Sequence, residues 1–534
     1  MRVFVFALIV AAPVLAADPV KLVVAPASVE LTGARDRQGL AVQALFADGS
    51  TRDVTASAEM TLDKPVATVT NGFLAPAAGG TANLTVKHAG LSASVPVVVK
   101  EHRAAGKLSF RNDVMPVFTK AGCNTGKCHG QAAGKDGFRL SLFGYDPAGD
   151  QFRITREMGG RRVNLATPDD CLVINKATGK VPHTGGQRFE PGSESYKLIV
   201  RWLEGGAAAD PAETPRPIGI EVFPKEAVFA TKGEGQRVVV RAKYSDGSDR
   251  DVTRFAVFVG NNDAAATVTE TGVIAATGPG EAFILARFDE FTQGTAVIVR
   301  PGTPFTAPVT PAFNYIDTHV QAKLNKLHVV PSDPCTDEVF VRRVYLDLIG
   351  LLPTPAEREK FLADTDAKKR EKLVDALLVR EEFRDLWVMK WAEVFQIRTA
   401  NGLSPKGLLL YDKWLRERIR SGATIDQVVR ELLPASGGTF ENPAVNYFQT
   451  ETSPQLMAEN VAQVFLGTRI QCAQCHNHPF DRWTMNDYYG FAAFFGQVGY
   501  KAAQDPRELT VYNAGAGETR HPVGDRPVKP KFLG

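Results

Sequence analysis

Cysteine is scarce in this chain. Six occur among 534 residues, which excludes a fold stapled by a dense disulfide framework. An excess of charge of one sign is also missing. The 62 lysines and arginines nearly balance the 59 aspartates and glutamates, leaving a formal net charge of +3, too little for the basic footprint of a nucleic-acid binder. After the first residues, no uninterrupted apolar run is long enough to cross a bilayer. The mature chain is therefore expected to have no membrane span. No hydrolase or phosphate-binding signature stands out. Glu381–Glu382 and the run Lys368–Lys372 fall in helical stretches and read as solvated surface.

What is present supports a large globular chain. Hydrophobic residues make up 44% and charged residues 23%, enough for several packed cores. Residues 1–17 read as a secretory leader: Arg2 gives a positive start, Val3–Leu15 a short apolar run, and Val14-Leu15-Ala16 a small-residue cleavage site. The expected location is outside the cytoplasm, in the periplasm or at the cell surface.

An internal repeat organises the first three hundred residues. The stretch Asp48-Gly49-Ser50-Thr51-Arg52-Asp53-Val54-Thr55 returns as Asp246-Gly247-Ser248-Asp249-Arg250-Asp251-Val252-Thr253, and Ala67-Thr68-Val69-Thr70 as Ala266-Thr267-Val268-Thr269. Period-two alternation around Val238–Tyr244 predicts short half-buried strands, and Asp-Gly is a hairpin-turn signal. Two all-β sandwiches are expected, at 18–101 and 216–301. Asp48, Asp53, Asp246 and Asp251 admit a calcium site, although turn and cap chemistry explains them more simply.

Between the repeats, residues 104–211 change character. Asn112–Phe118 reads as a short helix feeding into Cys123, and Ser193–Leu203 as an amphipathic helix closed by Gly205-Gly206. A small, mostly α domain is expected there. From about 312 to 500 the periodicity is helical. Phe340, Val344 and Leu348 keep one face, and Thr354-Pro355-Ala356-Glu357 is a capping-box start. Further helices are expected near 368–379, 382–397, 407–419 and 424–433. The fold class is thus multidomain: two β-sandwiches, a small α domain and a mainly α C-terminal domain.

Two cysteine motifs carry the chemistry. Cys472-Ala473-Gln474-Cys475-His476 is a C-x-x-C-H stretch, the pattern of covalent haem c attachment. Both thiols bond the haem edge and the adjacent histidine binds the iron. The same residues, with His478, also admit zinc or a redox dithiol. The absence of a second nearby cysteine pair argues against zinc. The absence of a βαβ pattern argues against a thioredoxin-like dithiol. Phe480, Trp483, Tyr488, Tyr489, Phe491, Phe494 and Phe495 form an aromatic flank suited to a haem pocket or to an ordinary core. His476 is the expected proximal ligand, and Met485 and His521 are the distal candidates.

The second motif, Cys123-Asn124-Thr125-Gly126-Lys127-Cys128-His129, has four residues between its cysteines. His129 is its expected proximal ligand. His183, in the turn-rich loop Lys180–Gly186, is the expected distal one, with Met158 second. Helix, cysteine motif, loops and a terminal helix ending in Trp-Leu-x-Gly-Gly resemble a small cytochrome c domain. Cys171 and Cys335 stay unassigned.

The stretches Val341–Thr354 and Glu459–Gly467, the latter running into Cys472–Trp483, resemble the planctomycete-type cytochrome C proteins. The repeats resemble bacterial immunoglobulin-like domains of group two. The resemblance implies one or two covalent haem c groups and electron transfer with an unidentified redox partner protein. It leaves open a haem enzyme of dihaem peroxidase type. It also leaves open an adhesion or scaffold role, in which the immunoglobulin-like modules meet an envelope or glycan partner. Members of that family usually continue into a further domain, so residues 501–534 read as an extended tail leading towards one.

Overall fold

The computed structural model describes residues 18–101, 106–131, 133–399, 403–478 and 481–534. The leader expected at 1–17 lies outside the described residues. The chain falls into two compact units, one reaching to Pro331 and the other comprising Ser332–His478 and Trp483–Gly534.

Both repeats fold as β-sandwiches with the same topology, strand for strand. In the first, Lys21–Ala25, Ala41–Leu45 and Thr51–Asp53 form one sheet. Val29–Thr32, Leu91–Lys100, Gly80–His88 and Glu59–Leu62 form the opposing one. Val29–Thr32 runs parallel to Val97–Lys100, while the other pairings are antiparallel. The second repeat reproduces this order, including the parallel pairing of Glu226–Phe229 with Ala296–Val299. Alternation sets which side chains face inwards. Along Gly80–His88, Ala82, Leu84 and Val86 are buried between exposed Thr81, Asn83 and Lys87.

The two sandwiches clasp each other reciprocally. Asp53 accepts the Arg237 backbone N–H at 2.6 Å, and its counterpart Asp251 accepts the Gly39 N–H at 2.6 Å. Gln43 donates to Glu226 O at 3.0 Å, and its counterpart Arg241 donates to Ser28 O at 2.9 Å. The same residue offset relates both members of each pair. The contact is therefore an isologous one made within a single chain.

Residues 106–211 are not an independent ball. Phe110, Val114, Leu198, Ile199, Trp202 and Leu203 belong to one continuous hydrophobic core with Val222, Phe229, Val240 and Phe255 of the second sandwich. Arg250–Asp113 at 2.7 Å and Arg111–Asp289 at 3.3 Å add ion pairs across that junction. The helix Glu194–Glu204 starts where Ser193 Oγ accepts the Tyr196 N–H, and it buries the face expected from its spacing. Helix Tyr315–Leu327, grouped by sequence with the C-terminal helices, belongs to the first unit. Lys326 pairs there with Glu226 at 2.5 Å and its carbonyl accepts from Arg300. Tyr315 and Val320 are accordingly exposed, at 75% and 50%.

The second unit is mainly helical, from Asp337–Ile349 through Pro355–Ala363, Lys369–Leu378, Glu381–Val394, Pro405–Arg420, Ile425–Leu432, Pro454–Phe465 and Met485–Ala492. Thr354 and Glu357 form the expected capping box. Residues 501–534 are not simply an extended tail. Val498–Ala502 pairs with Leu509–Asn513, which also pairs with Gly437–Gly438, and Arg520–His521 pairs with Arg526–Pro527. Alternating residues such as Val498, Tyr500 and Val511 were the signal for this. Among the described residues no helix is long and apolar enough to cross a membrane.

Candidate functional site

The stretch from Cys123 to Gly130 folds back on itself directly after helix Met115–Lys120. Cys123 N–H bonds to Phe118 O at 2.9 Å, Cys128 N–H to Thr125 O at 2.9 Å, and His129 N–H returns to Cys123 O at 3.0 Å. The four intervening residues are thus taken up in a turn that brings the histidine back beside the first cysteine. Asn124 is fully buried and donates to Thr119 Oγ1 at 2.9 Å, while its carbonyl accepts the Phe143 N–H at 3.0 Å. Gly130 is obligatory at the exit, because a Cβ there would lie 2.1 Å from Asn124 O.

The structure brings His129 and His183 together. Their ring centroids are 6.2 Å apart and their planes are within 6° of parallel. His129 Nδ1 lies 3.0 Å from Phe138 O, and His183 Nδ1 lies 2.8 Å from Gly186 O. A carbonyl can only accept, so each Nδ1 carries the proton and each Nε2 presents a lone pair. Such second-sphere hydrogen bonds are the usual device for orienting metal-binding imidazoles. One ion held by both Nε2 atoms at about 2 Å would space the ring centroids by roughly 6 Å. Burial lowers the His129 pKa, and the neighbouring His183 adds to that effect. The neutral, ligating form is therefore favoured at neutral pH.

The two thiols of the motif sit in the same turn. Cys123 is buried, and burial pushes its thiol up to about 12. Arg188 Nη2 donates to Cys128 Sγ at 3.3 Å, and Arg188 Nε is buried without a partner. Phe138 packs on His129 at 4.7 Å and carries Arg162 over its ring at 4.3 Å. Met158 is 65% exposed, and His183 holds the position facing His129. Two thiols and two imidazoles are the groups that covalent haem attachment and iron ligation use.

Sequence reading missed Gly130, Arg188 and Phe138. A glycine directly behind His129 was the one local signal. Arg188 and Phe138 act through the fold and leave no spacing to read.

The C-x-x-C-H stretch is arranged differently. Cys472 and Cys475 are exposed around the short helical turn Gln471–Gln474. His476 Nδ1 lies 2.7 Å from Asn477 O, the same kind of contact as at His129. Met485 is buried, and its N–H bonds to Asn477 Oδ1 at 3.1 Å. His521 is 4% exposed and its Nδ1 accepts the Val523 N–H at 3.1 Å. In that tautomer Nε2 bears the proton and offers no lone pair. Tyr489 joins these parts, its hydroxyl donating to Gln474 O at 3.1 Å and its ring 5.2 Å from that of His521. Trp483, Tyr488, Tyr489 and Phe491 are buried, whereas Phe494 is 39% exposed. Phe480 lies outside the described residues.

All six cysteines are unbridged, so Cys171 and Cys335 do not pair. Cys171 is buried and exchanges hydrogen bonds with the Asn164 backbone. Among the described residues no group of three or more histidine, cysteine or acidic side chains could hold a metal ion. The repeat aspartates are engaged by turns and caps. Asp48 and Asp246 bind Ser50 and Ser248, while Asp53 and Asp251 bind the Thr55 and Thr253 N–H groups.

Residues 315–500 match the family model PSCyt2, described as a protein of unknown function (DUF1549). No curated protein matches the chain. Several solved structures resemble part of it. Domains 5–6 of the S-layer protein SbsC are 13% identical, with a TM-score of 0.22 over 53% of this chain and 99% of that one. A longer SbsC structure has a TM-score of 0.15 at 13% identity, over 55% of this chain and 29% of that one. Invasin, a bacterial integrin-binding protein, is 14% identical with a TM-score of 0.11, over 52% of this chain and 58% of its own.

Proposed function

We propose that the chain is an exported c-type cytochrome that carries electrons to and from a partner protein, with residues 106–211 as its cytochrome c-like segment. The observation behind this reading is the parallel His129–His183 pair, each Nδ1 fixed on a backbone carbonyl, beside Cys123 and Cys128. Cys123 and Cys128 would hold the haem as thioethers. His129 and His183 would ligate its iron through Nε2. The bound haem supplies one-electron redox chemistry. Bis-histidine ligation favours a lower potential than histidine–methionine ligation. It also favours electron transfer over peroxidase chemistry, which needs an open position at iron. Phe138 O and Gly186 O keep both imidazoles in the ligating tautomer, and Arg188 sets a positive charge beside the Cys128 sulfur. A second haem is assigned to Cys472, Cys475 and His476.

A second reading draws on the exposure of Cys472 and Cys475 and on the rigid clasp of the two sandwiches. It is an envelope scaffold at the cell surface whose cysteines serve structure.

The test is covalent haem per polypeptide after co-expression with a cytochrome c maturation system, read by haem stain on denaturing gels and by the pyridine haemochrome spectrum. Two haems are expected. Replacing Cys123 and Cys128 by serine should remove one, and replacing Cys472 and Cys475 should remove the other. His183→Ala should keep the first haem covalently bound but change its low-spin spectrum. A folded, exported chain without haem overturns the cytochrome reading and leaves the scaffold.

A further inference from the structure

A cavity of about 720 Å³ opens within the first unit, where the first sandwich, the 106–211 segment and the second sandwich meet. Its volume is that of an organic ligand rather than of a bare ion. Acidic and basic side chains both line it, but they are not equally occupied. Three of the carboxylates are committed. Asp36 accepts the Thr32 and Arg37 N–H groups, each at 2.8 Å. Asp113 accepts the Ser109 N–H at 2.9 Å and Arg250 at 2.7 Å, and Asp251 is held by Gly39 and Thr253.

Two of the guanidinium groups pack against aromatic rings, Arg37 over Phe73 at 5.5 Å and Arg254 over Phe255 at 4.6 Å. Arg37 and Arg254 have no ion pair among the described residues, and Arg254 Nε is buried without a hydrogen-bond partner. Tyr244 is 5% exposed, and its hydroxyl is also buried and unpartnered. Arg254 feels Arg37 and Arg250 as like charges, and burial together with this repulsion brings it down to about 10. A desolvated cation without an ion pair and a buried hydroxyl without a hydrogen bond are each costly unless a ligand completes them.

We infer that this cavity binds an oxyanion-bearing ligand, whose carboxylate, sulfate or phosphate group is received by Arg254, Arg37 and the Tyr244 hydroxyl. The guanidiniums supply paired N–H donors to the oxygens. Burial pushes the Tyr244 phenol up to about 12, so it stays protonated and donates. The rest of the cavity has room for a saccharide or other polar body carrying the anion.

Calorimetric titration of the full chain with sodium sulfate, with a glucuronate-containing disaccharide and with neutral cellobiose tests this. Binding of sulfate or of the uronate sugar, weakened by added salt, is expected, and cellobiose should not bind. Preference for the disaccharide over sulfate identifies an acidic glycan as the source, and equal binding identifies a free anion. Arg254→Gln should weaken binding about tenfold and Tyr244→Phe about fivefold. Arg37→Gln serves as an independent variant if Arg254→Gln fails to fold by circular dichroism. Binding of neither anion, or affinities unchanged in Tyr244→Phe and Arg37→Gln, overturns the proposal.

Discussion

His129 is held by the loop it terminates, and the residue behind it decides whether that hold survives. Adding a methyl group at Gly130 puts a carbon 2.1 Å from Asn124 O and 2.9 Å from Leu142 Cδ1, and a backbone oxygen cannot swing aside. Gly130→Ala is therefore expected to cost about 1–3 kcal/mol in urea unfolding of this unit and, on the proposed cytochrome reading, to lower haem at the first motif while sparing the second. The same loop orders the thiols. In the haem-free chain, iodoacetamide should modify exposed Cys472 and Cys475 first. Cys123, buried and pushed up to about 12, and Cys171, buried and also raised, should resist until the chain unfolds. Mass spectrometry of tryptic peptides reads that order, and early labelling of Cys123 would contradict the packing. The motif residues were legible from spacing, and His183 was legible from its turn-rich loop. Their pairing was an expectation of the sequence, but the near-parallel ring geometry was not readable, because two rings 54 residues apart in sequence meet only through the fold.

The repeated D-G-S-x-R-D-V-T element does two jobs that its sequence does not separate. Its first aspartate folds a turn locally, and positive φ at Gly49 and Gly247 completes it. Its second aspartate reaches the other sandwich. Asp251 is 6% exposed and receives N–H groups from Gly39 and Thr253. Removing it leaves two buried donors unpaired. Asp251→Ala is expected to destabilise by about 3 kcal/mol, and Asp246→Ala, at an exposed turn, by less than about 1 kcal/mol. If calcium held these carboxylates, a chelator would reproduce the loss. The hydrogen bonds already formed predict instead that EDTA leaves the melting temperature unchanged, as differential scanning fluorimetry would show. Turn chemistry could be read from the repeat because it is local. The clasp could not, since each partner lies a whole sandwich away.

Composition shifts divide the first unit into three domains, but packing divides it differently. The change from alternating to helical pattern at about residue 104 marks a change of secondary structure, and the hydrophobic core runs straight through it. Trp202 is the hinge of that argument. It is 2% exposed, packs its ring tilted by 46° against Phe110 at 5.2 Å, and donates through Nε1 to Ala208 O at 3.0 Å. Truncating it opens a cavity in a core shared by the cysteine-bearing segment and the second sandwich. Trp202→Ala should cost about 3–5 kcal/mol. Because the core is continuous, the cost should fall on both sides of the junction together. Amide hydrogen exchange followed by mass spectrometry distinguishes the two cases. Protection should drop in parallel for helix Glu194–Glu204 and for strand Val239–Tyr244, while the equivalent strand Ala41–Leu45, whose core is separate, loses less. Loss confined to the helix would mean that the segment and the sandwich fold apart. The cysteine-bearing segment would then be a true domain, and the ring pair at His129 and His183 would owe nothing to the sandwich behind it.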